Sequence, residues 1–197
     1  MAAFTQHKGT IAVLPDDNID TDRIIPARFL TMVTRSGYGE LLFNDVRGGE
    51  FALDQPEAKG ASVLIVGSNF GCGSSREHAV WAIQQAGYQA VIAKRQPSLS
   101  GFSDIFRQNA ANCGLLLVEL DEEAHAKLAN LGSGTVVEID LPNDQIRFEG
   151  GSIGFEIPPA LKKQHLEGLD LIGTTLLHAA DIDAYERERL DFVPPRV

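Results

Sequence analysis

The fold is decided by residues 62–79, which read SVLIVGSNFGCGSSREHA. Residues 62–66 contain the continuous apolar run Val63–Val66, which is typical of a strand that is buried on both faces. A glycine-rich turn follows, and residues 75–87 then carry small and apolar side chains on one face up to a terminal glycine, which predicts a helix. Because ligands of open α/β sheets bind beyond the carboxyl ends of the strands, this turn is the first candidate for a functional site.

The same alternation of strand and helix continues on both sides of this unit. Further strands are predicted at 10–14, 90–93 and 114–118, and further helices at 102–112 and 121–131. Strands that alternate with helices indicate βαβ crossovers and therefore a parallel βα core. Two later β-rich runs, 135–139 and 145–148, flank a turn and predict a hairpin, which adds an antiparallel β layer.

We therefore expect an α/β fold in a single domain over residues 1–197, with a helical C-terminal extension at about 158–197. Residues 16–60 lack a regular pattern and are predicted to be mostly loop. Loops of this length inside a compact domain are usually functional or disordered. The short apolar islands in this stretch favour an ordered, functional loop.

The composition excludes several classes of function. The chain has 197 residues, with 17 Lys and Arg against 27 Asp and Glu, which gives a formal net charge of −10. Nucleic-acid binding needs clustered basic residues, so no nucleic acid is expected as a partner. No apolar run approaches the ~20 residues of a membrane span, and the N-terminus lacks the apolar core of a signal peptide. We therefore expect no membrane association and a cytoplasmic location.

The chain offers few residues for a metal site of its own. Its two cysteines, Cys72 and Cys113, are fewer than the about four thiolates that hold an iron–sulfur cluster. The five histidines lie far apart in the sequence and form no pair with the spacing of a zinc site. We expect no metal to be bound by this chain alone, and so few cysteines fit a reducing compartment.

The end of the glycine-rich turn allows two interpretations. Arg76 lies in the first turn of the predicted helix, where the helix dipole disfavours a cation, and this suggests that it faces an anion. A planar guanidinium binds a carboxylate through two parallel hydrogen bonds. The spacing of Ser74 and Glu77 also fits a capping box, in which Ser74 does no more than cap the helix. Spacing alone leaves both interpretations open.

A second candidate segment runs from Asn18 to Leu30. Asn18, Asp20 and Asp22 alternate as in a calcium loop, but the Gly and Glu that an EF-hand needs further along are absent. A series of Asx turns that leads into a proline is the alternative. Arg35 follows in a glycine-containing loop, where a surface charge is the default interpretation.

Three stretches carry a resemblance to a known family. Residues 67–79 strongly resemble the signature of the swivelling domain of the aconitase superfamily, and residues 20–26, DTDRIIP, resemble a second motif of the same domain. Residues 168–176 are similar to the tail of the family of 3-isopropylmalate dehydratase small subunits. The resemblance to this family spans nearly the whole chain, and it implies a swivelling β/β/α fold.

The resemblance also implies an activity and a partner. It implies a subunit of a hydro-lyase that interconverts 2-isopropylmalate and 3-isopropylmalate by dehydration and rehydration, in leucine biosynthesis. It implies docking on a large subunit that holds a [4Fe–4S] cluster, which agrees with the shortage of cysteines in this chain. Two alternatives stay open: the small subunit of a related hydratase for homoaconitate or citraconate-like diacids, and a stand-alone anion-binding module.

Site residues are implied by the same resemblance. Ser74 matches the catalytic serine of the superfamily, which removes a proton next to a substrate carboxylate. Arg76 matches an arginine that binds the carboxylate of the dicarboxylate substrate, and Ser75 matches a backbone or hydroxyl contact to it. The resemblance also implies that Arg35 is the counterpart of a second substrate arginine.

Specificity is implied to lie in the second candidate segment. Phe29, Leu30 and Thr31 fall where the family reads the side group of the substrate. An isopropyl group needs an apolar pocket, which Phe29 and Leu30 would supply, although such a pocket also suits other small or apolar groups.

Overall fold

Seven strands form one sheet in the computed structural model, which describes residues 1–188. The strands are β1 (Gln6–Leu14), β2 (Val63–Val66), β3 (Ala90–Lys94), β4 (Leu116–Leu120), β5 (Val136–Asp140), β6 (Gln145–Phe148) and β7 (Gly151–Gly154). Their order across the sheet is β4-β3-β2-β1-β5-β6-β7. Strands β1 to β4 are parallel to one another, and β5, β6 and β7 continue the sheet in antiparallel pairs.

Strand β1 joins the two parts of the sheet. Its second half pairs in parallel with β2, beginning with Ile11 opposite Val63. Its first half pairs antiparallel with β5 and ends with Thr10 opposite Val136. The predicted α/β fold is confirmed, because the parallel βα core and the antiparallel hairpin are both present.

Strands β2 and β3 are buried on both faces, as their continuous apolar runs predict. Leu64 and Val66 of β2 face one hydrophobic core, and Val63 and Ile65 face the other. This alternation follows from the two-residue period of a strand. The buried centre of the sheet therefore provides a rigid base for the turns that leave its carboxyl edge.

The helices cover the sheet or follow it in the chain. They are α1 (Thr21–Ile24), α2 (Glu77–Gln85), α3 (Asp104–Cys113), α4 (Glu122–Ala129), α5 (Pro159–Glu167), α6 (Leu171–Leu176) and α7 (Ala179–Glu188). Ser103 caps α3 by accepting a hydrogen bond from the N–H of Phe106, and Gly114 ends α3 in the left-handed conformation. Local sequence signals therefore fix both ends of this helix.

The structure differs from the sequence-based expectations at several places. Strand β1 begins at Gln6 rather than at position 10, because its polar first half pairs with β5. Strand β7 was not predicted, since its four residues include two glycines and one large apolar side chain. The predicted loop 16–60 contains α1 and several short 3-10 turns. Helix α2 begins at Glu77, two residues later than expected.

The C-terminal region is helical where helices were predicted. Helices α5, α6 and α7 occupy most of the chain between Pro159 and Glu188, and residues 189–197 lie outside the described part. The assignment of the chain to a single domain with a C-terminal extension stays a prediction. Within residues 1–188, the structure contains no helix with the length and apolar character needed to cross a membrane.

Candidate functional site

The glycine-rich turn lies against the aspartate-rich motif. The N–H of Asn18 donates to the carbonyl of Ser68 at 2.8 Å, and the N–H of Gly71 donates to the carbonyl of Ile19 at 2.8 Å. These bonds continue the parallel pairing of β1 and β2 beyond the carboxyl ends of the two strands. The structure therefore brings the two motifs together at the edge of the sheet where α/β proteins bind ligands.

Ser74 lies exposed at the end of this turn. Its N–H donates to Oγ1 of Thr21 at 3.1 Å, and its carbonyl accepts from the N–H of Arg76 at 2.9 Å. Helix α2 begins only at Glu77, and no side chain caps its first turn. The capping-box interpretation of Ser74 is therefore wrong, because the residue lies outside the helix and its hydroxyl is free for another role.

Arg76 occupies the N-cap position of α2 in an extended conformation, and not the first helical turn as the sequence predicts. Its side chain is 14% exposed and forms an ion pair with Asp22, whose side chain is 57% exposed. The buried Nη1 atom has this carboxylate beside it but makes no hydrogen bond of good geometry. Arg76 is thus a mostly buried cation, two residues after Ser74 in the chain, that is held by its ion pair with Asp22.

Ser75 completes a set of groups that suits an anion. It is exposed, and its N–H donates to no acceptor within residues 1–188. The N-terminus of α2 adds a partial positive charge at the same place. Two exposed hydroxyls and the N–H of Ser75 therefore lie next in the chain to the mostly buried Arg76 cation, an arrangement that can bind a carboxylate.

Residues 29–31 lie in a 3-10 turn, Ala27–Thr31, that follows α1. Phe29 and Leu30 are half-buried, and Thr31 is exposed. The guanidinium of Arg28 lies 4.5 Å from the ring centroid of Phe29 and pairs with Asp45. The apolar side chains of this turn are therefore partly accessible, and the turn follows the helix that carries Asp22. Contact between the turn and a substrate stays a prediction.

Arg35 is tied to the second half of α2. Its guanidinium lies 5.2 Å from the ring centroid of Trp81, and its carbonyl accepts from Nε2 of Gln85 at 2.8 Å. The side chain is exposed, so it is available to another molecule. A role in substrate binding stays a prediction, because these contacts place it beside α2 and not at Ser74.

Both cysteine thiols have a pKa above the ordinary value of a thiol. Burial raises the pKa of Cys113 from 9.0 to about 12, and the hydrogen bond from its Sγ to Oε1 of Glu77, 3.2 Å, adds to this effect. Burial and the nearby carboxylate of Asp20 raise the pKa of Cys72 as well. A raised pKa keeps a thiol protonated, and the thiolate is the form that attacks or ligates.

An iron–sulfur cluster does not fit the described residues. Within residues 1–188, no group of three or more His, Cys, Asp or Glu side chains could hold a metal ion. A cluster of this kind needs about four thiolates. No step of a reaction is therefore assigned to a cluster on this chain.

A cavity of about 950 Å³ lies beside β4 and not at the glycine-rich turn. Its walls include Phe102, Arg107, Leu117 and Phe155, and none of the predicted site residues lines it. Its volume falls in the range of ligand pockets. The predicted site residues Ser74 and Ser75 lie instead on an exposed surface.

Two residues of the site were missed by the sequence reasoning. Thr21 and Asp22 were noted as part of a motif, but no contact was assigned to them. The structure places Thr21 on the N–H of Ser74 and Asp22 on the guanidinium of Arg76. Both residues lie in the motif at residues 20–26, which resembles the same domain as the glycine-rich turn. This shared resemblance was the signal that could have indicated a contact between the two motifs.

This chain is similar to known proteins over most of its length. Residues 1–123 match the aconitase C-terminal domain family. The 3-isopropylmalate dehydratase small subunit of Bacillus cytotoxicus is 43% identical over 195 residues, which cover 95% of this chain and 98% of the relative. The same subunit of Oenococcus oeni is 42% identical over 200 residues, with 98% and 100% covered. Among solved structures, a 3-isopropylmalate dehydratase of Methanocaldococcus jannaschii matches with a TM-score of 0.65 and 32% identity, over 92% of this chain and 99% of that chain.

Proposed function

We propose that Ser74 is the proton-transferring residue of this chain, which belongs to the aconitase C-terminal domain family and to the family of 3-isopropylmalate dehydratase small subunits. The chain acts as the small subunit of a hydro-lyase that interconverts 2-isopropylmalate and 3-isopropylmalate. The observation that carries the proposal is the position of Ser74, exposed and outside the helix, next to the fixed cation Arg76.

Proton removal needs help because serine is intrinsically a poor base. The positive end of α2, the N–H of Ser75 and the guanidinium of Arg76 all favour negative charge at this place, so they stabilise the alkoxide form of Ser74. The alkoxide takes the proton from the carbon next to a carboxylate, and the electron pair of that C–H bond forms the double bond as the hydroxyl leaves. Rehydration returns the proton from the Ser74 hydroxyl.

Substrate orientation is the role of Arg76. Its guanidinium is mostly buried and paired with Asp22, so its position is fixed before the substrate arrives. A substrate carboxylate that meets the remaining donors is held with its adjacent C–H near Ser74. Positioning of this kind lowers the barrier because the reacting groups need no further ordering.

The partner is a large subunit, as the designation of the relatives as small subunits implies. Ser74 and Ser75 are exposed, so this chain presents only one wall of an active site. The proposed large subunit would enclose the substrate and hold the [4Fe–4S] cluster, which would supply Lewis-acid chemistry for the departure of the hydroxyl group. We expect the assembled enzyme in the cytoplasm, with neither nucleic acid nor membrane as a partner.

Specificity is proposed to lie with Phe29 and Leu30. A charge at Leu30 removes apolar contact from an isopropyl group and offers a partner to a polar one. In the reconstituted pair, we expect Leu30→Arg to lower kcat/KM for isopropylmalate by on the order of 10- to 200-fold, the usual worth of a small apolar contact. The ratio of specificity constants for isopropylmalate and homoaconitate should shift toward homoaconitate.

Val33→Arg is the matched control, because Val33 is fully exposed in the next part of the chain. It adds the same charge without removing a half-buried side chain, so the ratio should stay at the wild-type value. An unchanged ratio in Leu30→Arg would remove this turn from the recognition site. Wild-type activity with homoaconitate or citraconate above that with isopropylmalate would favour the related hydratases.

A further inference from the structure

Thr21 stands between the two motifs of the site. It is 1% exposed, and its N–H donates to the carbonyl of Cys72 at 2.9 Å. Its Oγ1 accepts from the N–H of Ser74 at 3.1 Å. One buried residue therefore holds the turn on both sides of Gly73, immediately before the proposed catalytic serine.

The contact from Thr21 comes where backbone pairing ends. Backbone hydrogen bonds tie the turn to residues 18–21 as far as Cys72. Gly73 then takes a φ of +93°, a conformation that L side chains rarely adopt, and redirects the chain. The Oγ1 of Thr21 is the acceptor that receives the next N–H after this change of direction, that of Ser74.

Helix α1, which begins at Thr21, is well anchored. Asp20 caps α1 by accepting a hydrogen bond from the N–H of Arg23 at 2.7 Å. Ile24 and Ile25, at the end of the same helix, are completely buried in the core. Because Thr21 is itself buried and α1 ends in the core, the position of Thr21 Oγ1 is set by the interior of the protein and not by the exposed turn.

We propose that Thr21 is a positioning residue that sets the orientation of Ser74. Its Oγ1 holds the peptide N–H of Ser74, and this fixes the direction in which the Ser74 side chain leaves the backbone. The inference rests on the proposed role of Ser74 and extends it to a residue that does not touch the substrate. Since a displacement of about 1 Å can lower a rate 10²-fold, a single hydrogen bond at this place matters for turnover.

The test compares Thr21→Val with Thr21→Ser in the enzyme reconstituted with its large subunit. Valine has nearly the same shape but no acceptor, whereas serine keeps the acceptor. We expect Thr21→Val to lower kcat by ~10- to 100-fold with KM changed less than about twofold, because binding by Arg76 is retained. Thr21→Ser should recover most of the loss.

Thr135→Val is the matched control, since Thr135 Oγ1 makes a hydrogen bond to the carbonyl of Leu131 away from the site. It should leave kcat unchanged, whatever its effect on the melting temperature. A Thr21→Val enzyme with wild-type kcat per folded molecule would overturn the proposal, and so would a Thr21→Ser enzyme as slow as Thr21→Val.

Ser74→Ala, measured in parallel, separates failure of this inference from failure of the proposed function. If Ser74→Ala is inactive while Thr21→Val keeps wild-type kcat, only the positioning role is lost. If Ser74→Ala is fully active, the catalytic role of Ser74 is wrong, and the positioning role of Thr21 falls with it.

Discussion

Ser74→Ala in the reconstituted enzyme is expected to lower turnover by at least ~10²- to 10⁴-fold, the usual worth of a positioned acid–base group. Alanine removes the proposed base but leaves the N-terminus of α2 and the guanidinium of Arg76 in place. Substrate binding should therefore change little, and the loss should appear in kcat and not in KM. Single-turnover rates and KM on one preparation measure the two effects separately.

The melting temperature of Ser74→Ala provides the control for a structural role. Ser74 is exposed and lies outside α2, so its replacement should leave stability close to that of the wild type. Ser152→Ala, at an exposed serine of strand β7, is the matched variant and should change neither stability nor turnover. A loss of ~1 kcal/mol in stability with full activity per folded molecule is the behaviour of a helix cap and would contradict the catalytic role.

Arg76→Lys is expected to fail in a different way, with a raised KM as well as a lowered kcat. Lysine keeps the positive charge but lacks the planar fork that holds a carboxylate through two bonds. The lysine ammonium group also cannot pair with Asp22 in the same geometry, so the side-chain orientation that the Arg76–Asp22 ion pair fixes is lost. We expect kcat/KM to fall on the order of 10²-fold, as for a misplaced reacting group. Steady-state kinetics and direct substrate binding to the reconstituted pair measure the change.

Arg23→Lys is a suitable control for Arg76→Lys. Arg23 lies on α1 and pairs with Asp16 on the surface, where an ion pair contributes little free energy. Its conservative replacement should leave both kinetic constants near the wild-type values. An Arg76→Lys enzyme with unchanged KM would show that Arg76 does not bind the substrate carboxylate.

The central sheet could be predicted because its signals are local. Continuous apolar runs identified β2 and β3, and burial in two cores explains why residues 63–66 and 90–93 carry no polar side chain. Strand β7 could not be predicted in this way, because Ile153 is its one large apolar side chain and its pairing with β6 comes from the hairpin geometry.

The contacts within the candidate site could not be predicted from local sequence patterns. The Ser-x-x-Glu spacing of Ser74 and Glu77 fits a capping box, yet the change of direction at Gly73 and the extended conformation of Arg76 move the helix start past the serine. The acceptor for the Ser74 N–H is Thr21, 53 residues earlier in the chain. A contact over this distance depends on the pairing of β1 with β2, which no local pattern records.

Reconstitution tests most directly whether this chain supplies one half of an active site. The chain alone, the cluster-loaded large subunit alone and an equimolar mixture are each assayed for hydration of the unsaturated intermediate to isopropylmalate. We expect no turnover by either part alone and full turnover by the mixture, because Ser74 and Ser75 are exposed and this chain forms only one wall of the proposed site. Appreciable turnover by the isolated chain, or no turnover by the mixture, would contradict this assignment.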